Sequence, residues 1–290
     1  MIQQRTYTSE ELARLHAVLY DLLGEADRVC RKHGIPYFLV GGTAIGALYD
    51  QAILPWDDDV DIGMTRDAYD RFLQVAPTEL GPDYFLSWMG TDPHTPYYYA
   101  KLKKNGTLFV ESLFRDVPMH QGIYIDILPF DRVPDNRWAH RLQRAAVNFL
   151  KCCLMGKEAW LWRYFGRCRS GCTSRRGLLP CLLNRLVDTF LSKKQIYRLM
   201  LAAQTAANGR RTRCFSNIVT TTDYIAEEDV RDLRSVPFGP LTVTAPARLE
   251  AFLRRNYPTL HRYDEQEQQR VAGHCPDVLS FGSDSLHSNY

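Results

Sequence analysis

The chain has 290 residues, a formal net charge of +3 at pH 7, 45% hydrophobic residues and 24% charged residues. This balance predicts a folded globular protein with a sizeable core and excludes a chain that is disordered along most of its length. No apolar run approaches the roughly 20 residues that span a bilayer, and the polar N-terminus lacks a signal-peptide pattern. We therefore expect a cytoplasmic protein whose eight cysteines are free thiols.

The first predicted element is an amphipathic helix over residues 8–33. Thr8 and Glu11 have the spacing of a capping box, and Gly34 is suited to end the helix. One face collects the leucines, which are Leu12, Leu15, Leu19, Leu22 and Leu23. The expected role of this helix is packing against the core.

Short strand and helix patterns follow in alternation. We predict strands at 37–41 and 59–63, helices at 43–50 and 66–75, and further strands near 83–88, 97–103, 107–111 and 122–127. This order predicts an α+β fold in which a mixed sheet is covered by helices.

Three acids two positions apart, Asp57, Asp59 and Asp61, stand at the start of the second predicted strand. The opposite, apolar face of this strand is predicted to hold Val60, Ile62 and Met64. Alternation along a strand predicts that the three acids share one face and that Asp58 points away. Like charges this close repel unless a cation lies between them, and oxygen-only ligands favour Mg²⁺. The alternative for this run alone is an acidic turn in solvent.

Two neighbouring segments complete this predicted metal site. The strand 37–41 runs into Gly41-Gly42-Thr43, whose small side chains allow backbone N–H groups to approach a phosphate at a helix N-terminus. Asp126 lies in a β-branched stretch, where an unpaired buried acid would cost several kcal/mol, so we expect it to be a further ligand. A solvent-facing strand end is the alternative for Asp126. Asp131, in contrast, is expected at a turn.

The combination of strand, Gly-Gly-Thr, short helix and Asp-x-Asp strand resembles the DNA polymerase beta-like nucleotidyltransferases. The runs at 42–47 and 53–64 are also similar to the LicD family of phosphorylcholine transferases, to which the fukutin-type phosphotransferases are related. Later blocks of that family are resembled by Ala100-Lys101-Leu102, Asn105 with Thr107, Ile125-Asp126-Ile127 and His274. The similarity is strong from about Tyr37 to Asp131 and faint afterwards.

This resemblance implies a nucleotidyltransferase core and a transferase that uses Mg²⁺ or Mn²⁺. The implied reaction moves a phosphorylated alcohol, most directly phosphocholine from CDP-choline, to a sugar hydroxyl of a cell-surface glycan or its lipid-linked precursor, as in the modification of lipopolysaccharide or teichoic acid. The implied catalytic residues are Asp59, Asp61 and Asp126, joined as metal ligands by Asp57. The implied substrate-binding residues are Gly41, Gly42, Thr43, Lys101 and His274.

Some positions leave alternatives open. Lys101 would otherwise be a surface lysine on an edge strand, and His274 a surface histidine. Tyr49 stands where relatives commonly carry an arginine, and Ala52 where they carry a glycine, so the identity of the donor stays open. A nucleotidyltransferase that acts on a sugar phosphate, protein or RNA would use the same carboxylates. A non-catalytic, membrane-docked assembly subunit is the third possibility.

A lopsided charge distribution marks the region after residue 136, where the pattern turns helical up to about 207. The segment from Arg137 to Arg185 contains eleven Lys or Arg residues and one acid, Glu158. Its net charge is therefore +10, and the net charge of the remaining residues is −7. Such a segment attracts anionic lipid or a polyanionic acceptor, or else is a solvated helical face. We expect no nucleic-acid partner, because no aromatic and basic binding module is evident.

Three parts are therefore predicted. They are a catalytic core over 1–135, a basic helical region over 136–210, and a C-terminal segment over 211–290 that packs on the core. The last part is predicted to contain a small hairpin at 237–243 and a helix at 247–257. Cys168, Cys172 and Cys181 have a suggestive spacing, but no second close pair completes a zinc site, so free thiols are favoured.

Overall fold

A computed structural model of the protein describes residues 6–156, 190–217, 224–263 and 275–282. The helices of the described part are α1 (Ser9–His33), α2 (Gly41–Tyr49), α3 (Arg66–Glu79), α4 (Arg137–Gly156), α5 (Lys193–Thr205), α6 (Glu227–Arg231) and α7 (Leu249–Asn256). The strands are β1 (Phe38–Leu39), β2 (Asp61–Thr65), β3 (Tyr84–Ser87), β4 (Ala100–Lys104), β5 (Leu108–Val110), β6 (Tyr124–Arg132), β7 (Cys214–Ser216), β8 (Tyr224–Ala226), β9 (Leu233–Phe238), β10 (Leu241–Pro246) and β11 (Val278–Ser280).

The main sheet is mixed and has the strand order β1-β2-β6-β4-β3, with β7 and β8 continuing from the far end of β6. β2 and β6 run parallel, whereas every other neighbouring pair of this sheet is antiparallel. Two small antiparallel sheets pair β9 with β10 and β5 with β11. The predicted α+β class is confirmed.

Helix α1 forms as its sequence predicts. The Thr8 hydroxyl accepts a hydrogen bond from the Glu11 backbone N–H at 3.1 Å, and the Glu11 carboxylate accepts one from the Thr8 backbone N–H at 2.9 Å. Gly34 ends the helix with φ +58°, a conformation in which a side chain is strained. The fully buried face is formed by Leu15, Leu19, Leu22 and Leu23. This face packs on β4 and β6 and so covers one side of the sheet.

Two strand boundaries differ from the prediction. β2 begins at Asp61, so residues 57–60 lie outside any strand and do not alternate in direction as strand residues do. β6 continues to Arg132, which places Asp131 inside the strand rather than at a turn. Asp131 is buried because Arg66 of α3 grips it with two hydrogen bonds, at 2.9 and 2.7 Å. A long-range ion pair with Arg66 therefore stabilises Asp131 in its buried position inside β6.

The C-terminal half of the described chain also agrees in outline. The predicted hairpin and helix are present as β9–β10 and α7, and the hairpin contacts β1. α4 and α5 confirm helices at the two ends of the predicted helical region. The centre of that region, residues 157–189, lies outside the described residues, as do its three cysteines. Among the described cysteines, Cys30, Cys152 and Cys214 are free thiols. The domain boundaries stay predictions.

Within the described ranges, the helices are all too short or too polar to cross a lipid bilayer.

Gly63 in β2 is predicted to tolerate no side chain. A Cβ there would lie 2.5 Å from the Phe38 ring and 2.8 Å from the Phe130 ring, two rings that pack edge to face with centroids 5.1 Å apart. We expect Gly63→Ala to lower the free energy of unfolding by about 1–3 kcal/mol through overpacking, as measured by urea denaturation. Gly209→Ala, where a Cβ meets nothing within 4 Å, is the control and should have little effect. Equal stabilities of the two variants would contradict this account.

Candidate active site

Three strands align charged residues in one row across the sheet. Asp61 of β2 lies beside Asp126 of β6, which lies beside Lys101 of β4. Neighbours in register project to the same face, so two carboxylates and one ammonium meet there. The Lys101 Nζ donates to Asp126 Oδ1 at 2.6 Å, and the Tyr99 hydroxyl donates to Asp126 Oδ2 at 3.0 Å. Asp126 is therefore held on both oxygens, consistent with the prediction that it belongs to the site.

The loop before β2 supplies further acids. Asp57, Asp58 and Asp59 each present a carboxylate oxygen, and these oxygens lie within 4.8 Å of one another. The prediction that Asp58 points away is wrong, because residues 57–60 do not form a strand and strand alternation does not apply. Asp58 is buried and accepts a hydrogen bond from the Tyr7 hydroxyl at 2.7 Å.

The start of helix α2 lies against these carboxylates. A Cβ on Gly42 would lie 2.6 Å from Asp57 Oδ2, and one on Gly41 would lie 3.2 Å from Asp61 Oδ2. The Thr43 hydroxyl accepts a hydrogen bond from the Asp61 backbone N–H at 2.8 Å. The two glycines thus allow the helix N-terminus, with its positive partial charge, to approach the acids closely. That they bind phosphate stays a prediction.

The carboxylates outweigh the positive charge beside them. Burial first, and then the charges of Asp59 and Asp58, raise the pKa of the Asp57 carboxyl above its ordinary value. Burial, followed by the charges of Asp59 and Asp126, raises the pKa of Asp61 well above its ordinary value, although Lys101 opposes this shift. A cation between the acids would remove this penalty, and an all-oxygen ligand set fits a hard divalent ion.

A cavity of about 170 Å³ opens beside these residues. Its polar lining includes Asp58, Asp59, Asp126, Lys101 and Glu111. The remaining lining is aromatic and comes from Tyr97, Tyr99, Phe109, Phe114 and Tyr124. Glu111 and these rings were not predicted from the sequence, because they come from separate segments of the chain that only the fold brings together.

Lys101 is not the surface lysine on an edge strand that was the alternative. β4 lies between β6 and β3, and Lys101 is only 2% exposed. Its ammonium lies 3.4 Å from the centroid of the Tyr124 ring and 4.2 Å from that of the Tyr97 ring. A role of Lys101 in substrate binding stays a prediction. His274 lies outside the described residues.

Comparison with known proteins identifies related sequences over this part of the chain. Residues 34–153 match the family model described as LicD/FKTN/FKRP, nucleotidyltransferase domain. The chain is 29% identical over 185 residues to the lipopolysaccharide cholinephosphotransferase LicD of Haemophilus influenzae, a match that covers 61% of this chain and 63% of that protein.

Two shorter matches are to uncharacterized proteins of Rickettsia. The Rickettsia typhi protein is 37% identical over 59 residues, which is 20% of this chain and 19% of the relative. The Rickettsia prowazekii protein is 36% identical over 59 residues, 20% of this chain and 22% of the relative. This chain thus spans less than two thirds of the length of each of the three relatives.

The buried pair of Lys101 and Asp126 is predicted to be costly to break from one side. Lys101→Met leaves Asp126 and Asp61 without the ammonium, so the free energy of unfolding in metal-free buffer should fall by about 3 kcal/mol. Adding Asp126→Asn removes the uncompensated charge and should recover most of this loss. Lys104→Met, on the same strand, breaks a more exposed pair with Asp21 and should cost less than about 1 kcal/mol. Urea denaturation of the three variants and the wild type tests this, and a double variant no more stable than Lys101→Met would count against it.

Proposed function

We propose that the protein is a phosphotransferase that moves phosphocholine from CDP-choline to a sugar hydroxyl of lipopolysaccharide or another cell-surface glycan. The match of residues 34–153 to the LicD/FKTN/FKRP family model supports this proposal, and so does the name of the Haemophilus influenzae relative, a lipopolysaccharide cholinephosphotransferase. The observation that carries the proposal is the cluster of partly buried acids at the N-terminus of α2, because such a cluster suits metal-assisted phosphate chemistry.

The proposed fold of residues 1–135 is a nucleotidyltransferase core, in agreement with the description of the matched family. Within it, Asp57, Asp59, Asp61 and Asp126 would hold Mg²⁺ or Mn²⁺. Such an ion, when bound, supplies positive charge to the donor diphosphate as negative charge develops on the leaving CMP. The raised pKa values of Asp57 and Asp61 support this assignment, since burial first, and then the negative charge of the neighbouring acids, disfavours the ionised carboxylates when no cation is bound.

Asp126 is the proposed general base. It accepts the proton of the attacking sugar hydroxyl while the new O–P bond forms and the P–O bond to CMP breaks. Lys101 and Tyr99 fix its carboxylate in place, at 2.6 and 3.0 Å, so the base does not need to be oriented during the reaction. The Lys101 ammonium also provides a fixed positive charge for a phosphate oxygen.

The start of α2 is proposed to bind phosphate. Gly41 and Gly42 leave their backbone N–H groups accessible to an anion, as at other helix N-termini. Thr43 acts indirectly, because its hydroxyl binds the backbone of Asp61 and so positions that acid.

A nucleotidyltransferase would use the same acids, and the family description favours it as the second candidate. Product analysis separates the two reactions. The purified protein is given Mg²⁺ and, in separate assays, either a glycan acceptor with each CDP-alcohol in turn, with choline, ethanolamine, glycerol or ribitol as the alcohol, or a sugar phosphate with CTP. Release of CMP supports phosphoalcohol transfer, whereas release of diphosphate from CTP supports nucleotidyl transfer. A non-catalytic assembly subunit would give neither product, but the complete set of acids argues against it.

Helix α4 supports a proposed peripheral association with the inner face of the cell membrane. It exposes three large apolar side chains, with Trp138 63% exposed, Leu142 72% and Phe149 37%. Arg137, Arg141 and Arg144 are exposed on the same helix. Apolar and basic side chains together are typical of helices that lie at the surface of anionic membranes. A lipid-linked glycan acceptor would be found there.

Asp59→Asn and Asp61→Asn are predicted to reduce CMP release by at least about a hundredfold, because each removes an anionic ligand while keeping the side-chain shape. In metal-free buffer the free energy of unfolding should hold or rise, because each substitution relieves repulsion. Asp83→Asn, at an acid that is 72% exposed, is the control and should change neither quantity. Retained activity together with a clear loss of stability would contradict the assignment of Asp59 and Asp61 as metal ligands.

Replacing Arg137, Arg141 and Arg144 with Gln is predicted to weaken binding to anionic vesicles by about a hundredfold. Each basic residue near an anionic surface contributes about 1 kcal/mol, and added salt should mimic the substitutions through screening. A triple variant at Arg231, Arg234 and Arg254, which lie on α6, β9 and α7, is the matched control. Sedimentation with anionic and with neutral vesicles tests this prediction. Equal, negligible binding to both kinds of vesicle would contradict the proposed membrane association.

A further inference from the structure

The cavity beside the acids is walled by aromatic rings in mutual contact. The Tyr97 ring packs edge to face on Phe114, with centroids 5.1 Å apart, and tilted against Tyr99 at 5.6 Å. Phe109 and Tyr124 form a second edge-to-face pair at 5.3 Å. Five rings from three separate segments thus line one space of about 170 Å³, which we name the aromatic box.

Negative charge is placed at more than one point of the aromatic box. Glu111 accepts a hydrogen bond from the Tyr97 hydroxyl at 2.8 Å, whereas Asp126 is bound by Lys101 and Tyr99. Tyr124, whose ring packs on Phe109, lines the same cavity as Glu111 and Asp126.

The ring faces of the aromatic box already hold one cation. The Lys101 ammonium lies over Tyr124 and Tyr97, at 3.4 and 4.2 Å from their centroids. Asp126 pairs with that ammonium at 2.6 Å and so balances its charge. Glu111, which the Tyr97 hydroxyl binds, is a further carboxylate of the same lining, beside Asp58 and Asp59.

We propose that the aromatic box binds the quaternary ammonium head of a choline-type donor, with its phosphate directed toward Asp59 and Asp126. This inference rests on the proposed phosphotransferase function and adds the recognition of the alcohol. A trimethylammonium group has no N–H to donate, so it is recognised through aromatic faces and a nearby carboxylate. A neutral polyol such as glycerol or ribitol would gain little from the ring faces, which come from five of the ten lining residues.

A donor analogue that lacks the positive charge distinguishes recognition of the charge from recognition of the shape alone. The neutral isostere carries 3,3-dimethylbutanol in place of choline, so its shape is retained and its charge is lost. In calorimetric titrations with Mg²⁺ present, the wild type should bind CDP-choline at least tenfold more tightly than CDP-dimethylbutanol or CDP-glycerol.

Two conservative variants test the residues. Phe114→Leu keeps an apolar side chain and removes the ring, and Glu111→Gln keeps the shape and removes the charge. Each substitution should weaken the binding of CDP-choline about tenfold. Glu111→Gln should leave the affinity for the neutral isostere unchanged. The controls are Phe85→Leu, at a ring that stacks on His120 outside the box, and Glu79→Gln, at an acid paired with Lys32. If Phe114→Leu fails to fold, Glu111→Gln still decides.

The binding and product measurements distinguish a failure of the aromatic box from a failure of the proposed transfer reaction. Equal wild-type affinity for CDP-choline and its neutral isostere, or an unchanged preference for choline in Glu111→Gln, overturns the aromatic box even if CMP is released from CDP-choline. A preference for choline that is lost in Glu111→Gln supports the box, and if no CDP-alcohol then releases CMP, it is the proposed transfer reaction that fails.

Discussion

Repulsion among buried carboxylates is the constraint around which this structure is arranged. Asp61 and Asp126 lie side by side in a parallel strand pair, and the loop before β2 adds Asp57, Asp58 and Asp59. The surrounding structure compensates only in part, through the Lys101 ammonium, the Tyr7 and Tyr99 hydroxyls and the N-terminus of α2. A folded protein keeps such a destabilising cluster where function requires it, since stability alone would favour apolar packing.

Local signals predicted a large part of the fold. The capping box at Thr8 and Glu11, the leucine face of α1 and the αL position of Gly34 are decided within a few residues of each other, so sequence alone was sufficient. The same holds for the hairpin β9–β10 and for the mixed α+β class. Asp126 was also identified from the sequence, because an acid inside a β-branched stretch needs a compensating partner.

Long-range contacts account for what the sequence did not predict. Asp131 is held inside β6 by Arg66, 65 residues earlier, which no local pattern indicates. Asp58 was misplaced because strand alternation was extended to residues 57–60, whose path is set by contacts with Tyr7, His16 and Leu54. The aromatic box assembles from rings at 97–99, 109–114 and 124, so its existence depends on strand order.

The wall that carries Glu111 and Phe114 is held in place by a distant part of the chain. β11 pairs with β5, which directly precedes Glu111. Asp277 binds both Ser112 and Arg115, and the contact with Ser112 spans 165 residues of sequence. If the aromatic box selects the head group as proposed, that preference depends on both segments and not on one loop alone. A chimera designed to change the alcohol would then have to carry the segment at 111–115 together with β11, and could keep the acids on β2 and β6 unchanged.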